Sequence, residues 1–362
     1  LIGGAAINRR FGHRILFGES GQPYAPGVFY CKDAFEGLDA MEKLIDPSER
    51  GDFVGRVIAE AEAEVKGAAA ADNKPQTTVV QPSWVVRRLS SSEIPTPPFW
   101  GSRVIREMPL EIVLDHLDID ELYRLQWGAK NTHGDEWTKL KAEFDARLDR
   151  MKREAIKSGY LKPQAVYGYF PAQSSGNALI VYDPQLYSSS NGQKSLREIA
   201  RFEFPRQPGQ DHLCLADYFE PIDSGMIDTV ALQVVTVGHS ADEKFAELQG
   251  KHDYSEAYFL HGLGVEAAEA TAEYVHQHIR RELNIGAKHG KRYSWGYPAC
   301  PDIADHAKVF ALLPQTSELG LTLTSAYQLI PEQSTAAMVV HHPAAKYYST
   351  GVNRVEQLMG EA

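Results

Sequence analysis

The amino-acid sequence predicts an α+β domain preceded by a truncated α/β segment. Two observations carry that division. Between residues 67 and 98 the composition shifts to Ala, Ser, Thr and Pro, including Pro75, Pro82, Pro95, Pro97 and Pro98, which favours extended chain over a packed element. Beyond that stretch, strand-like and helix-like patterns follow one another without regular alternation, which speaks against repeated βαβ units. The expected organisation is an α/β remnant at 1–66, a linker at 67–98 and the larger domain at 99–362.

Taken in order, Leu1-Ile2-Gly3-Gly4-Ala5-Ala6 reads as a buried strand end running into a glycine turn, and residues 27–31 as the next strand. Residues 35–45 and 52–65 carry helical spacing of apolar side chains. Glycines after a strand let backbone approach a ligand at the carboxyl end of a parallel sheet; a purely structural turn explains them equally well. In the larger domain Leu140, Phe144, Leu148, Met151 and Ala155 recur at steps of three or four and predict a helix over 135–158. Residues 160–182 read as strands around Ser174-Ser175-Gly176-Asn177, and 229–237, rich in Val, Leu and Thr, as a well-buried strand. Ser240-Ala241-Asp242-Glu243 fits a capping box opening a helix. A longer helix is expected over 255–283, a shorter one over 303–313, and a strand over 336–342.

A net charge of -11 argues against a nucleic-acid-binding surface. Basic pairs such as Lys152-Arg153 sit among acids and read as a solvated helix face. No apolar run approaches the roughly 20 residues needed to span a bilayer, and residues 1–15 lack the basic start and apolar stretch of a signal peptide. Cys31, Cys214 and Cys300 are far apart and without C-x-x-C spacing, so neither a disulfide framework nor a zinc site follows. A cytoplasmic monomer with no nucleic-acid or membrane partner is expected. The absence of Met at position 1 suggests a fragment. Dinucleotide-binding, phosphate-loop and nucleophile-elbow motifs are all missing, which leaves the common dehydrogenase, kinase and hydrolase templates without an anchor.

The chemistry concentrates in Arg292-Tyr293-Ser294-Trp295-Gly296-Tyr297-Pro298-Ala299-Cys300-Pro301-Asp302. A guanidinium grips a carboxylate with paired hydrogen bonds, and aromatic faces take a purine or a cation. These groups suit a nucleoside carrying an amino-acid tail; a proline-rich turn with an exposed Arg is the plain alternative. Upstream, Glu269 falls inside the apolar stripe of Val265, Ala268, Ala272, Val275 and Ile279. A carboxylate on such a face needs a partner, either a structural ion pair or a ligand. His341-His342 with His306 lack a convincing third ligand and read as structural histidines.

The segment resembles the R-x-x-x-G-Y-P-A-C-P-[DE] signature of the activation domain of cobalamin-dependent methionine synthases. Val166-Tyr167-Gly168-Tyr169-Phe170-Pro171-Ala172, Cys214-Leu215-Ala216-Asp217-Tyr218, the run from Ala268 to His276, and His342-Pro343 followed by Lys346-Tyr347-Tyr348 resemble further motifs of that family in the same order. The resemblance implies a C-shaped domain with a twisted, mainly antiparallel sheet and helices. It also implies that residues 1–66 are the end of a Rossmann-like cobalamin-binding domain, with Gly3, Gly4 and Ala34 against the nucleotide tail of cobalamin. The family's D-x-H-x-x-G segment, whose His ligates cobalt, does not occur in this chain, so the chain alone is not expected to hold cobalamin in the usual way.

By the same resemblance, S-adenosylmethionine is the expected cosubstrate. Arg292 would pair with its carboxylate, Tyr297 and Tyr347 would frame it, with Tyr348 beside them, and Gly296, Pro298 and Ala299 would fix its tail. Glu269 would lie near its ammonium or sulfonium. Asp118 would accept from the amino group or ribose, with Asp120 the alternative after a one-residue slip; an acid ahead of a helix is otherwise an N-cap. The implied activity is reductive methylation of cob(II)alamin, with the cobalamin-binding domain of the same protein and a flavodoxin-like or diflavin reductase as partners. A free-standing reactivation partner of a separate cobalamin protein is the other reading.

Overall fold

A computed structural model describes residues 1–2, 9–17, 22–31, 34–72, 86–189, 196–207, 211–286, 289–348 and 350. In the first segment lie α1 (Arg9–Phe17), α2 (Ala34–Ile45) and α3 (Arg50–Asp72). Its expected strands appear, among the described residues, as one parallel bridge between Ile2 and Tyr30, with Ile2 N–H donating to Phe29 O at 2.9 Å and Cys31 N–H to Ile2 O at 2.8 Å. The parallel sense accords with an α/β reading. Phe29 stacks on Phe53 of α3 at 5.4 Å. Gly3 and Gly4 lie outside the described residues, and Ala34 is the first residue of α2. The sequence did not announce α1, a basic helix interrupted by Gly12.

Two features differ from the expected linker. Helix α3 continues to Asp72, past the expected boundary at 66. Residues 86–98 are strapped to the larger domain: Val86 and Leu89 are buried, Leu89 N–H donates to Glu220 at 2.7 Å, and Pro95 O accepts from Thr229 Oγ1 at 2.9 Å. Prolines remove ladder donors from this stretch, and side chains of its neighbours supply the missing bonds.

The remaining elements are β1 (Gly101–Ile105), α4 (Leu110–Leu114), α5 (Ile119–Glu121), α6 (Gly134–Ser158), β2 (Gln164–Ser175), β3 (Ala178–Tyr182), α7 (Pro184–Ser189), β4 (Glu198–Glu203), β5 (Asp228–Thr236), α8 (Ser240–Gly250), α9 (Tyr254–Glu282), β6 (Lys291–Ser294), α10 (His306–Leu312), β7 (Thr322–Leu323), β8 (Leu329–Ile330) and β9 (Ser334–Val340). A π-helical turn spans Leu122–Gln126. The main sheet runs β4-β3-β2-β5-β9-β6, with β1 also paired to β2, and every pairing is antiparallel. Strand β2 is long enough to hold β1 along its first half and β3 along its second. The expected α+β architecture with a mainly antiparallel sheet is present.

Side chains alternate across the sheet with a period of two. Ala165, Tyr167, Tyr169, Ala231, Val235 and Val339 pack into the core shared with α4, α6 and α9. Val166, Phe170, Val230, Leu232, Val234 and Met338 form a second core on the other face with Trp295, Val309 and Leu312. Burial on both faces explains why β5 reads as a continuous apolar run. The expected capping box at Ser240 does not form. Ser240 is already helical, His239 is the N-cap without a side-chain cap bond, and its ring Nε2–H donates to Gly320 O at 3.0 Å. Among the described residues no helix is long and apolar enough to cross a membrane.

Strands β1 and β2 approach so closely at Gly168 that a Cβ there would lie 2.4 Å from Gly101 O and 2.9 Å from Ser102 Cα. Backbone on both sides leaves no flexible tip to yield. Gly168→Ala should therefore lower stability by about 1–3 kcal/mol through overpacking, measured by urea unfolding. An unchanged midpoint would show that β1 moves aside without cost.

Candidate functional site

Strand β6 is the edge of the main sheet and pairs only with β9, from Lys291↔Val340 to Ser294↔Ala337. Because alternate residues of a strand face opposite ways, Arg292 and Tyr293 project to opposite sides. Arg292 reaches α9, and Tyr293 packs into the second core. Among the described residues no strand closes this edge, and Arg292 and Tyr293 both line the cavity beside it.

The loop after β6 holds its own shape. Trp295 is buried against Phe202 at 5.5 Å. Pro298 occupies the second position of a tight turn, closed by Cys300 N–H donating to Tyr297 O at 3.0 Å. Gly296 N–H donates back to Cys300 O at 3.0 Å. Gly296 has φ 92°, a left-handed backbone that favours glycine, and a Cβ there would also meet Ile303 Cγ2 at 3.3 Å. Asp302 then caps the following 3₁₀ turn, accepting from Ala304 N–H at 3.0 Å.

Beside this loop lies a cavity of about 330 Å³ lined by Glu269, Arg292, Tyr293, Ser294, Tyr297, Pro298, Ala299, Tyr347 and Tyr348. Seven of these were expected from the sequence and come from three separated segments. Tyr297 and Tyr347 stand as exposed walls, at 55% and 66% of their full accessibility. Arg292 Nη2 donates to Glu269 Oε2 at 2.8 Å, so the ion pair anticipated for Glu269 is formed within the groove. Among the described residues Arg292 Nη1 is buried without a partner, and so is the Tyr348 hydroxyl. Unsatisfied buried donors of this kind cost about 1–3 kcal/mol each, and in a cavity wall they are ready to meet a ligand.

Carboxylates gather along the α9 side. Glu266, one turn before Glu269, is 3% exposed, and its Oε1 accepts from Asp118 N–H at 3.2 Å. Burial, opposed by that hydrogen bond and reinforced by Glu121, Glu269 and Asp118, pushes its carboxyl up to about 7. Burial and the charges of Asp118 and Glu269 likewise raise Glu121. Although the Tyr297 side chain is half exposed, its hydroxyl is raised by the desolvation around it and then by Glu269 and Glu121, which places this acidic group beside the groove. Farther along α9, burial opposes ionisation of Glu273, but the His276 hydrogen bond and charge, Gln277 and Arg292 hold it down at about 2.

Asp118 does not line the cavity. It is the N-cap of α5, with Oδ1 accepting from Glu121 N–H at 2.9 Å, because a short side chain just before a helix meets its free N–H groups first. Asp120 does not line the cavity either. Glu266 escaped the sequence reading, although its i, i+3 spacing to Glu269 was available as a signal. Tyr293 and Ser294 escaped it because strand alternation alone would turn one of them away. Each of the three histidines has a hydrogen-bond partner within the fold. His341 Nε2 meets Asp228 Oδ1 at 2.6 Å, both fully buried. His306 Nδ1–H donates to Tyr327 O at 2.7 Å. His342 Nδ1 accepts from Ala344 N–H at 3.0 Å, which leaves Nε2–H to donate to Arg87 O at 2.9 Å. Among the described residues no group of His, Cys, Asp and Glu is arranged to hold a metal.

Residues 122–360 match the family described as vitamin B12 dependent methionine synthase, activation domain. Methionine synthase of Mycobacterium tuberculosis (strain ATCC 25618 / H37Rv) is 33% identical over 392 residues, covering 96% of this chain and 32% of that protein. Methionine synthase of Mycobacterium leprae (strain TN) is 32% identical over 392 residues, covering 96% and 31%. The chain thus spans about a third of the length of these curated relatives. A solved structure described as the MetH reactivation domain bound to AdoHcy superposes with a TM-score of 0.65 at 22% identity, over 76% of this chain and 90% of that one. It shares the fold.

Glu266 makes stability depend on pH. Its folded value, about 7, lies above its ordinary 4.5, so between these values the folded state holds more protons than the unfolded one, and stability falls as pH rises through this window. Glu266→Gln keeps an oxygen for Asp118 N–H and removes the titration. Urea unfolding at intervals from pH 4.5 to 8 should show a shallower decline in the variant, which should be more stable than the native protein at pH 8. Parallel profiles would place the titration elsewhere.

Proposed function

The chain belongs to the vitamin B12-dependent methionine synthase activation-domain family, and from that premise we propose that it binds S-adenosylmethionine in the β6 groove and serves the reductive methylation of cob(II)alamin. Residues 99–362 form the activation domain in this reading, with 67–98 leading into it and 1–66 ending a cobalamin-binding domain. Gly3, Gly4 and Ala34 would face the nucleotide tail of cobalamin there. The single observation that carries the proposal is the Arg292 guanidinium, with one nitrogen held by Glu269 and the other buried without a partner in a wall of tyrosines.

S-adenosylmethionine supplies an activated methyl group on a sulfonium centre. The chain's own groups then have positional tasks. Arg292 Nη1 donates to the methionyl carboxylate while Nη2 stays with Glu269, whose charge also faces the ammonium. Tyr297 and Tyr347 hold the nucleoside between their rings and exclude water. The N–H groups of Gly296, Tyr297 and Cys300 are spent within the loop and Pro298 has none, which narrows the backbone donor for the tail to Ala299 N–H. Asp118 acts through its charge and by fixing α5, alongside Glu121 and Glu266. One guanidinium among several carboxylates complements a molecule that carries two cationic centres and one carboxylate. The methyl acceptor and the electron come from partners: the cobalamin-binding domain of the same protein and a flavodoxin-like or diflavin reductase, with the assembly cytoplasmic and the chain monomeric.

Calorimetric titration tests the reading. The native chain should bind S-adenosylmethionine saturably, and Arg292→Ala should weaken binding by on the order of 2–5 kcal/mol through loss of a shielded charge pair. Arg292→Lys should recover only part, because an ammonium cannot hold Glu269 and the carboxylate in the same forked geometry. Unchanged affinity in the Ala variant would refute the assignment.

A further inference from the structure

The chain leaving β9 forms a strap, described at residues 341–348 and 350, that carries Tyr347 and Tyr348 to the groove. It is pinned at its start, where His342 bonds Arg87 O and Ala344 N–H, and near its end, where Thr350 Oγ1 donates to Pro298 O at 3.0 Å. Between these pins Tyr347 is mostly exposed. A side chain in that position is free to leave its place unless something beneath it holds the backbone and the ring.

Tyr293 does both. Its hydroxyl donates to Lys346 O, the carbonyl directly before Tyr347, at 2.8 Å, and its ring meets the Tyr347 ring edge-on at 5.5 Å and 65°. Lys291, two residues earlier on β6, places its ammonium 5.7 Å from the same Tyr347 ring. Tyr293 itself is 4% exposed and paired with Met338 in the β6–β9 ladder, so its position is fixed by the sheet rather than by the strap. Lys346 Nζ adds only an exposed pair with Asp211, which solvent screens.

We propose that Tyr293 is a positioning residue for the groove, holding Tyr347 over it in the ligand-free protein so that S-adenosylmethionine meets a preformed wall. This rests on the reading of the groove as an S-adenosylmethionine site. Burial raises the Tyr293 hydroxyl far above its ordinary range, so the donor keeps its proton at any pH the protein meets. A wall ordered in advance removes part of the entropic cost of ordering it on binding. The residue acts through Tyr347, and that gives it a signature a purely structural tyrosine lacks.

The test is a double-mutant cycle on the full chain, with S-adenosylmethionine affinity from calorimetry and a thermal midpoint for each of four proteins: native, Tyr293→Phe, Tyr347→Ala and the double variant. Tyr293→Phe keeps the ring and its packing and removes the hydroxyl alone. It should weaken S-adenosylmethionine by on the order of three- to tenfold, whereas in the Tyr347→Ala background the same change should alter affinity by less than about twofold. Equal weakening in both backgrounds would show a general structural effect and overturn the positioning role. Native affinity in Tyr293→Phe would overturn it as well, leaving the site assignment intact. A native chain that fails to bind S-adenosylmethionine saturably would overturn the site assignment and this inference with it.

Discussion

The groove depends on one ladder, the antiparallel pairing of β6 with β9. Strand β6 is four residues long and, among the described residues, pairs with no other strand, so its pairing with β9 fixes the register of Arg292. Because the pair is antiparallel, β9 ends at Val340 beside Lys291 at the start of β6, and the segment that follows β9 leaves from there along the same edge. That adjacency brings Tyr347 to within one cavity of Arg292 across a separation of 55 positions in sequence. The same ladder fixes Tyr293, and the loop from Trp295 onward inherits its direction. Strand β5 secures β9 in turn, buried on both faces and paired over nearly its whole length.

An open sheet edge invites another strand unless it is short, charged or covered. Here the edge is blunted by the Arg292–Glu269 pair on one side and the tyrosines on the other. The guanidinium is shielded to 16% exposure, enough to strengthen its contacts yet short of the deep burial that would force neutralisation of its partner. The carboxylates beside it, on α5 and α9, repel one another, and the fold tolerates this at the cost of holding Glu266 half protonated near neutral pH.

Much of the fold was legible because its central elements are periodic. The regular steps of Leu140, Phe144, Leu148, Met151 and Ala155 mark α6, whose last four are buried. The hairpin of β2 and β3 announced itself through Ser174-Ser175-Gly176-Asn177, and β5 through its apolar run. Strands β1 and β4 were not legible: β1 is partly exposed along its length, and β4 carries its pattern as Glu-Ile-Ala-Arg-Phe-Glu, with one residue buried. Their place is set by pairing with β2 and β3, which is information from elsewhere in the chain. At the groove, the residues found in advance belong to a compact motif and its partner 55 residues on. The i, i+3 spacing of Glu266 to Glu269 put it on the same helix face, but its contact with Asp118 and that of Tyr293 with Lys346 join distant segments, which no local spacing reveals.

The strapped stretch 86–98 sets a length scale. Were the larger domain anchored only from residue 99, everything from α3 onward would hang on some two dozen residues. With Val86 buried and Leu89 bonded to Glu220, the larger domain is already anchored at residue 86. At about 3.3–3.6 Å per residue the chain from Asp72 to Val86 can span no more than roughly 50 Å. Residues 86–98 thus share the larger domain's packing, and a cut at 98 rather than before 86 would strip Glu220 and Thr229 of the backbone partners they hold there.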